Sequence, residues 1–137
     1  MILAITRRVD HFVQKYGDTV SVVRGSRFID NAGIIDIRVK PSLEVLQDIV
    51  NGYIELHTPI MRQILDTAPA MAPLDVFVNE EGLLDQLPSP VMIDSAWPRI
   101  FGDVAFCGGT DKKGETLPLS SSQREYLLGV IRAESLN

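Results

Sequence analysis

Glycines and lysines meet at one point of the chain, and that pairing is where anion chemistry would be sought first. Gly108-Gly109-Thr110-Asp111-Lys112-Lys113-Gly114 follows an apolar run. Amides freed by adjacent glycines can bind an anion, and Lys112 or Lys113 can neutralise it. The stretch is not a P-loop, because no Gly-Lys-Ser/Thr follows and no helix pattern starts there. Its plain reading is a flexible hairpin tip with solvated lysines. Two other groups suit an anionic, planar ligand. Arg24-Gly25-Ser26-Arg27-Phe28 puts two arginines, a hydroxyl and an aromatic in one loop, and an arginine grips phosphate or carboxylate through two parallel bonds. Trp97 stands two residues before Arg99, and an indole beside a guanidinium can stack on a base. The plain alternatives are an exposed loop for the first group and a core indole for the second. Arg24, Arg27, Trp97, Arg99, Gly108, Gly109, Lys112 and Lys113 form the candidate ligand shell.

Catalytic spacing is missing. Glu80 and Glu81 are adjacent in a turn that Asn79 and Gly82 already explain. His11 and His57 lie far apart with no His-Glu-x-x-His pattern, so no metal site is expected. Cys107 ends an apolar run and reads as a small buried hydrophobe rather than a nucleophile. A single cysteine also rules out an internal disulfide and a multi-cysteine metal site. The chain is read as a binding protein with no catalytic residue, metal or cofactor.

Composition narrows the ligand. The 137 residues are 45% hydrophobic and 23% charged, which fits one globular domain over residues 1–137. Thirteen Lys and Arg against eighteen Asp and Glu leave a net charge of −5. Binding duplex nucleic acid through phosphates needs a basic face, so that class is excluded. The basic residues are nine arginines and four lysines, a bias that leaves a small anionic ligand open. Met1 to Thr6 is apolar but ends at Arg7-Arg8, short of a signal-peptide core, and no run is long enough for a membrane span. A cytoplasmic location with Cys107 reduced is expected, with no membrane partner.

Several elements must position these residues. Ser42 is a candidate N-cap for a helix carrying Leu43, Leu46, Ile49 and Val50, stopped by Asn51-Gly52. Ser122-Gln123-Arg124-Glu125 has capping-box spacing and opens a terminal helix with Tyr126, Leu127, Val130 and Ile131 on its apolar stripe. Ile5, Val9, Phe12, Val13 and Tyr16 fit a helix ending at Gly17, although a hairpin with Tyr16-Gly17-Asp18 at its tip also fits. Ile60–Thr67 makes a shorter helical piece before Pro69 and Pro73. Strands are predicted at Thr19–Val23, Ile34–Val39, Tyr53–His57, Leu74–Val78 and Ile100–Cys107. Two hairpins are predicted: Leu74–Val78 turning through Asn79-Glu80-Glu81-Gly82 into Leu83-Leu84, and Ile100–Cys107 turning through the glycine loop into Glu115–Leu119. Leu87–Pro98 holds three prolines and reads as an irregular excursion with an edge strand at Val91–Ile93. No βαβ alternation appears, so the fold class is α+β: a mainly antiparallel sheet of about five strands packed with two or three helices.

Three stretches carry a family resemblance. Ser42 to Glu55, ending Asn51-Gly52-Tyr53-Ile54-Glu55, resembles a leucine-rich helix followed by Gly-Gly-Tyr-Ile-Glu. Val78-Asn79-Glu80-Glu81-Gly82-Leu83-Leu84, with Leu87-Pro88 after it, resembles a second signature. Gly102-Asp103-Val104-Ala105-Phe106, with Gly114-Glu115 and Leu119-Ser120, resembles a third. Together they resemble a small family of domains of unknown function found in phages, plasmids and bacteria. Asn51 stands where that pattern has its first Gly, and Pro59–Pro73 resembles an insertion. The resemblance divides the chain into an N-terminal extension, 1–33, and a family-like body, 34–137. It implies a phage or mobile-element context and a host-cytosol location, and it brings no activity.

The resulting expectation is a non-catalytic, homo-oligomeric counter-defence sponge. Its partner would be a small anionic nucleotide signal of the cyclic-nucleotide or cyclic ADP-ribose class. The alternative is a protein–protein interaction module that inhibits a host protein through the Glu80-Glu81 turn and Leu87–Pro98.

Overall fold

Ile2-Leu3-Ala4-Ile5 is apolar at every position, a pattern that belongs to a strand covered on both faces. These residues and Thr6 form β1 (Ile2–Thr6), and all five are fully buried. The computed structural model describes residues 1–23, 33–82 and 102–134. After β1 come α1 (Val9–Tyr16), β2 (Val20–Val23), β3 (Gly33–Ile37), α2 (Leu43–Val50), β4 (Ile54–Leu56), α3 (Thr58–Thr67), β5 (Asp75–Asn79), β6 (Val104–Cys107) and α4 (Ser121–Glu134). Among the described residues the strands make one six-stranded sheet, β2-β3-β1-β6-β5-β4, with every pairing antiparallel. The fold is α+β as the sequence predicts, with one strand and one helix more than expected. β1 lies between β3 and β6, so the sheet is built jointly by the N-terminal stretch and the body that follows it.

Helices cover both faces. Ile60 and Ile64 of α3, with Leu127, Leu128 and Ile131 of α4, pack on Leu3, Ile5, Ile34, Val76, Val104 and Phe106. On the other face Phe12 of α1 and Leu46, Ile49 and Val50 of α2 pack on Ile2, Ala4, Ile35, Ile37, Phe77 and Ala105. Burial on both sides explains why β1 shows no polar alternation and why Ile5 can pass for the first residue of a helix. The helix begins only at Val9 and ends at Gly17, whose φ of 56° places it in the left-handed region.

Helix ends follow local chemistry. Ser42 caps α2 by accepting from the Val45 N–H at 3.3 Å, and Asn51 ends it in the left-handed region at φ 58°. The capping box of α4 is Ser120 with Gln123, two residues before the predicted pair. Ser120 Oγ accepts from the Gln123 N–H at 3.1 Å, and Gln123 Oε1 accepts from the Ser120 N–H at 3.0 Å. One polar position of β3, Asp36, faces α4 and takes a two-pronged bond from Arg124 Nε and Nη2.

The strand predicted at Glu115–Leu119 does not form. One bridge, Thr110 to Thr116, is followed by a reciprocal pair in which the Gly108 N–H donates to Leu117 O and the Leu117 N–H donates to Gly109 O. Pro118 has no N–H to give, so a ladder cannot continue through it. The chain instead crosses to β1, where the Leu119 N–H donates to Met1 O at 2.8 Å. Leu83-Leu84, the Leu87–Pro98 excursion with Val91–Ile93, and Ile100 lie outside the described residues.

Candidate functional site

The sheet has two ends, and they divide the candidate residues. At the Thr6 end lie Gly33, opposite Thr6, together with Val23, Asn79 and Asp103. At the Met1 end lie Ile37, Asp75, Cys107 and the loop after it. Gly108, Gly109, Lys112 and Lys113 belong to the Met1 end. Arg24, Arg27, Trp97 and Arg99 lie outside the described residues, and their flanks Val23, Gly33 and Gly102 are at the Thr6 end.

The glycine loop is tightly built. Asp111 Oδ1 accepts from the Lys113 and Glu115 N–H groups at 2.8 and 2.9 Å, and Asp111 O accepts from the Gly114 N–H. The loop's own carboxylate therefore uses amides that an anion would need. Gly108 and Gly109 serve close approach. A Cβ on Gly108 would come 2.2 Å from Pro118 O, and one on Gly109, at φ 99°, would come 2.8 Å from Pro73 Cβ. Lys112 and Lys113 are exposed.

Beside this loop the chain leaves a cavity of about 540 Å³, in the size range of small-ligand sites. Arg38, Val39, Lys40 and Pro41 form one wall, and Glu115 to Pro118 form the other. Arg38 is held in place, donating from Nη1 to Ser21 Oγ at 2.7 Å and from Nη2 to Asp18 O at 2.5 Å. Lys40 is exposed at the mouth. Across the Leu117-Pro118 ridge a second cavity, of about 480 Å³, lies between Ala70–Ala72 and the start of α4. Gln123 fixes its walls: Nε2 donates to Met71 O at 2.9 Å and to Pro73 O at 2.6 Å. The first cavity offers apolar surface for a flat group, with cations at its rim and Glu115 as the opposing charge.

A second polar cluster escapes the reading from sequence. Arg8, which precedes α1 as its N-cap, and His11 and Lys15 within it recur at i, i+3 and i+7, and with Tyr16 they surround Asp48 in the last turn of α2. His11 Nε2 lies 3.0 Å from Oδ1, while Lys15 Nζ and Tyr16 Oη donate to Oδ2 at 2.9 and 3.0 Å. Arg8 Nη2 donates to the Asp48 carbonyl. A carboxylate at a helix C-terminus is disfavoured by the dipole, and these donors offset that. Burial and then the Asp48 hydrogen bond push the Tyr16 phenol up to about 12. Burial also works against the Asp48 charge, yet the bonds from Lys15, His11 and Tyr16 prevail and hold its carboxyl below the usual range. These bonds satisfy the Asp48 carboxylate and clasp α1 to α2, while the buried Arg8 Nε has no hydrogen-bond partner. The spacing of Arg8, His11 and Lys15 is the one signal in the sequence that could have found it.

Asp103 is the polar anchor of the Thr6 end. Its Oδ2 accepts from Thr6 Oγ1 at 2.6 Å and its Oδ1 from the Arg7 N–H at 3.3 Å, while burial raises its carboxyl above the ordinary value. Cys107 is fully buried, and burial, then the Asp75 charge, push its thiol up to about 12. A thiol so placed is not a ready nucleophile. Among the described residues no group of three or more His, Cys, Asp or Glu is placed to hold a metal ion, and no helix is long and apolar enough to cross a membrane.

Two of the resembling stretches meet in space. Asn79 Nδ2 donates to Val50 O and Asn51 O, and the Glu80 N–H donates to Tyr53 O. A Cβ on Gly52 would come 2.6 Å from that Asn79 nitrogen, so the Asn-Gly helix stop and the Asn-Glu-Glu-Gly turn fit only as a pair. No curated protein and no solved structure matches the chain. One family model does, over residues 29–131, from just before β3 into α4. With well over half of its length matched, the chain belongs to the family described as a domain of unknown function (DUF3846).

Proposed function

We propose that this domain captures a small anionic ligand of the nucleotide class without chemical change, seating it in the cavity between Arg38–Pro41 and Glu115–Pro118. The observation that carries this reading is the cavity itself: apolar walls at Val39, Pro41, Leu117 and Pro118, and cations Arg38 and Lys40 on one side. Lys112 and Lys113 are exposed on the loop whose returning limb forms the other wall. A base would lie on the apolar wall and its phosphates would meet the cations. The Gly108 and Gly114 amides take no part, because they donate to Leu117 O and Asp111 O. In a phage or mobile-element setting such capture would remove a nucleotide signal of host defence, and a homo-oligomer would multiply the sites.

Calorimetric titration of the intact chain with cyclic di- and trinucleotides and cyclic ADP-ribose isomers tests this. Saturable binding of at least one compound is expected, weakened about tenfold or more by Lys40→Glu, as expected for loss of a charge-assisted phosphate contact. Absence of heat across the whole panel would overturn the reading.

A further inference from the structure

A separate cavity, of about 360 Å³, lies between α3 and the chain that enters β5. Its helical wall follows from spacing: Thr58, Met61, Arg62 and Leu65 recur at i, i+3, i+4 and i+7 and so share one face of α3. Ala72, Pro73 and Leu74 make the facing wall, with Asp75 beyond them. Leu65 is 53% exposed, a large apolar side chain left in water where the wall meets solvent. Arg62 is exposed too, and among the described residues its guanidinium has no hydrogen bond or ion pair. The Thr58 hydroxyl, one turn earlier on the same face, is likewise uncommitted. Asp75 is buried and has one carboxylate oxygen taken by the Thr110 hydroxyl at 2.8 Å.

This arrangement is amphipathic, and it sets the polarity of its occupant. A guanidinium and a hydroxyl one helical turn apart can share a carboxylate, the first through charge-assisted bonds. Met61 and Leu65, also one turn apart, continue as an apolar strip facing Leu74 and Pro73, and a methionine adapts to the shape laid against it. Asp75 repels a second negative charge, so the head group belongs at Thr58 and Arg62 and the tail along the strip. The volume is near the lower limit of small-ligand sites, which suits a short chain. We propose that this cavity binds a medium-chain fatty carboxylate, with Arg62 and Thr58 as its head-group partners. The site shares no lining residue with the Arg38–Pro118 cavity and does not depend on the nucleotide reading.

The test is calorimetric and methyl-NMR titration of the intact chain with octanoate, and with octylamine and octanol as comparators. Octanoate is expected to saturate and to shift the Met61 methyl signal, with octylamine binding at least tenfold more weakly because Arg62 repels it. Arg62→Ala is expected to weaken octanoate about tenfold, and Leu65→Asp to abolish binding. Both positions are exposed, so the thermal midpoint should stay near the parent's, and Lys40→Glu should leave octanoate affinity unchanged. Failure of octanoate to bind, equal binding of octanoate and octylamine, or an Arg62→Ala variant with parental affinity would each overturn the proposal.

Discussion

Gln123→Glu exchanges one side-chain nitrogen for an oxygen and leaves size unchanged, so its cost isolates the hydrogen bonds that shape the cavity walls. Gln123 is 8% exposed, and its Nε2 donates to the carbonyls of Met71 and Pro73. An introduced carboxylate would turn an acceptor toward both. Leaving a buried acceptor unpaired costs about 1–3 kcal/mol; Met71 is half-buried and Pro73 exposed, so the lower part of that range applies to each and the two together should cost roughly 2–4 kcal/mol. The unfolding entropy of a chain this long is about 0.3 kcal/mol/K, which translates the loss into a fall in Tm of roughly 7–14 °C at neutral pH. The fold disfavours the charged form of the new group, so its folded pKa lies above its unfolded value of about 4.3. The deficit should therefore be smaller below about pH 4, where the neutral acid can still donate to one of the two carbonyls, and should grow as pH rises from the unfolded pKa through the folded one. Thermal unfolding followed by circular dichroism at pH 4 and pH 7 measures it. A variant within about 2 °C of the parent at pH 7 would refute the assignment of these bonds, given the loss expected from their number. Equal deficits at both pH values would refute the charge argument.

Three further outcomes follow from the same contacts. Arg124→Ala leaves Asp36, only 5% exposed, without its ion-pair partner and should cost about 3 kcal/mol in urea unfolding; Asp36→Leu combined with Arg124→Leu should recover most of that. Cys107 should react with a thiol reagent only as fast as the protein unfolds, because burial and then the Asp75 charge keep it protonated, its pKa pushed up to about 12, so rapid labelling of the native protein would contradict its placement. Asp48→Asn should lower the Tyr16 phenol from about 12, read by ultraviolet titration, and should also flatten the acid limb of the stability curve. The sign follows from the lowered Asp48 carboxyl, which contributes stability above its unfolded pKa that is lost as pH falls through the folded one.

Residues whose neighbours in sequence are also their partners in space were the legible ones. Ser42, the Asn51-Gly52 stop and the Asn79 turn act within a few residues of themselves, and each appears where the spacing predicts it. β1 was less legible because a strand buried on both faces loses its alternation. The capping box was misplaced because Ser120, Ser121 and Ser122 are chemically equivalent, and only the tertiary bonds of Gln123 select Ser120. The glycine loop looked like an anion cradle because sequence shows which amides are free of side-chain crowding but not where they point. Asp111 Oδ1 takes the Lys113 and Glu115 amides, the Gly108 and Gly114 amides donate to carbonyls, and Pro118 and Pro73 account for Gly108 and Gly109. Arg38 and Lys40 carry no local motif and gain meaning only from the chain that passes opposite them. The Asp48 cluster required two helices to be placed side by side, although half of it was visible as a stripe on α1.

The proposed nucleotide site lies between the Arg38–Pro41 and Glu115–Pro118 walls. Amide NMR spectra recorded while cyclic di-adenylate is titrated into the intact chain test it most directly. For that site, saturable shifts confined to Val39, Lys40, Thr116 and Leu117, with Lys112 and Lys113 following, are expected, and they should be lost in Lys40→Glu. Saturable shifts confined to Arg8, His11 and Lys15, with the Met1 end unmoved, would contradict it.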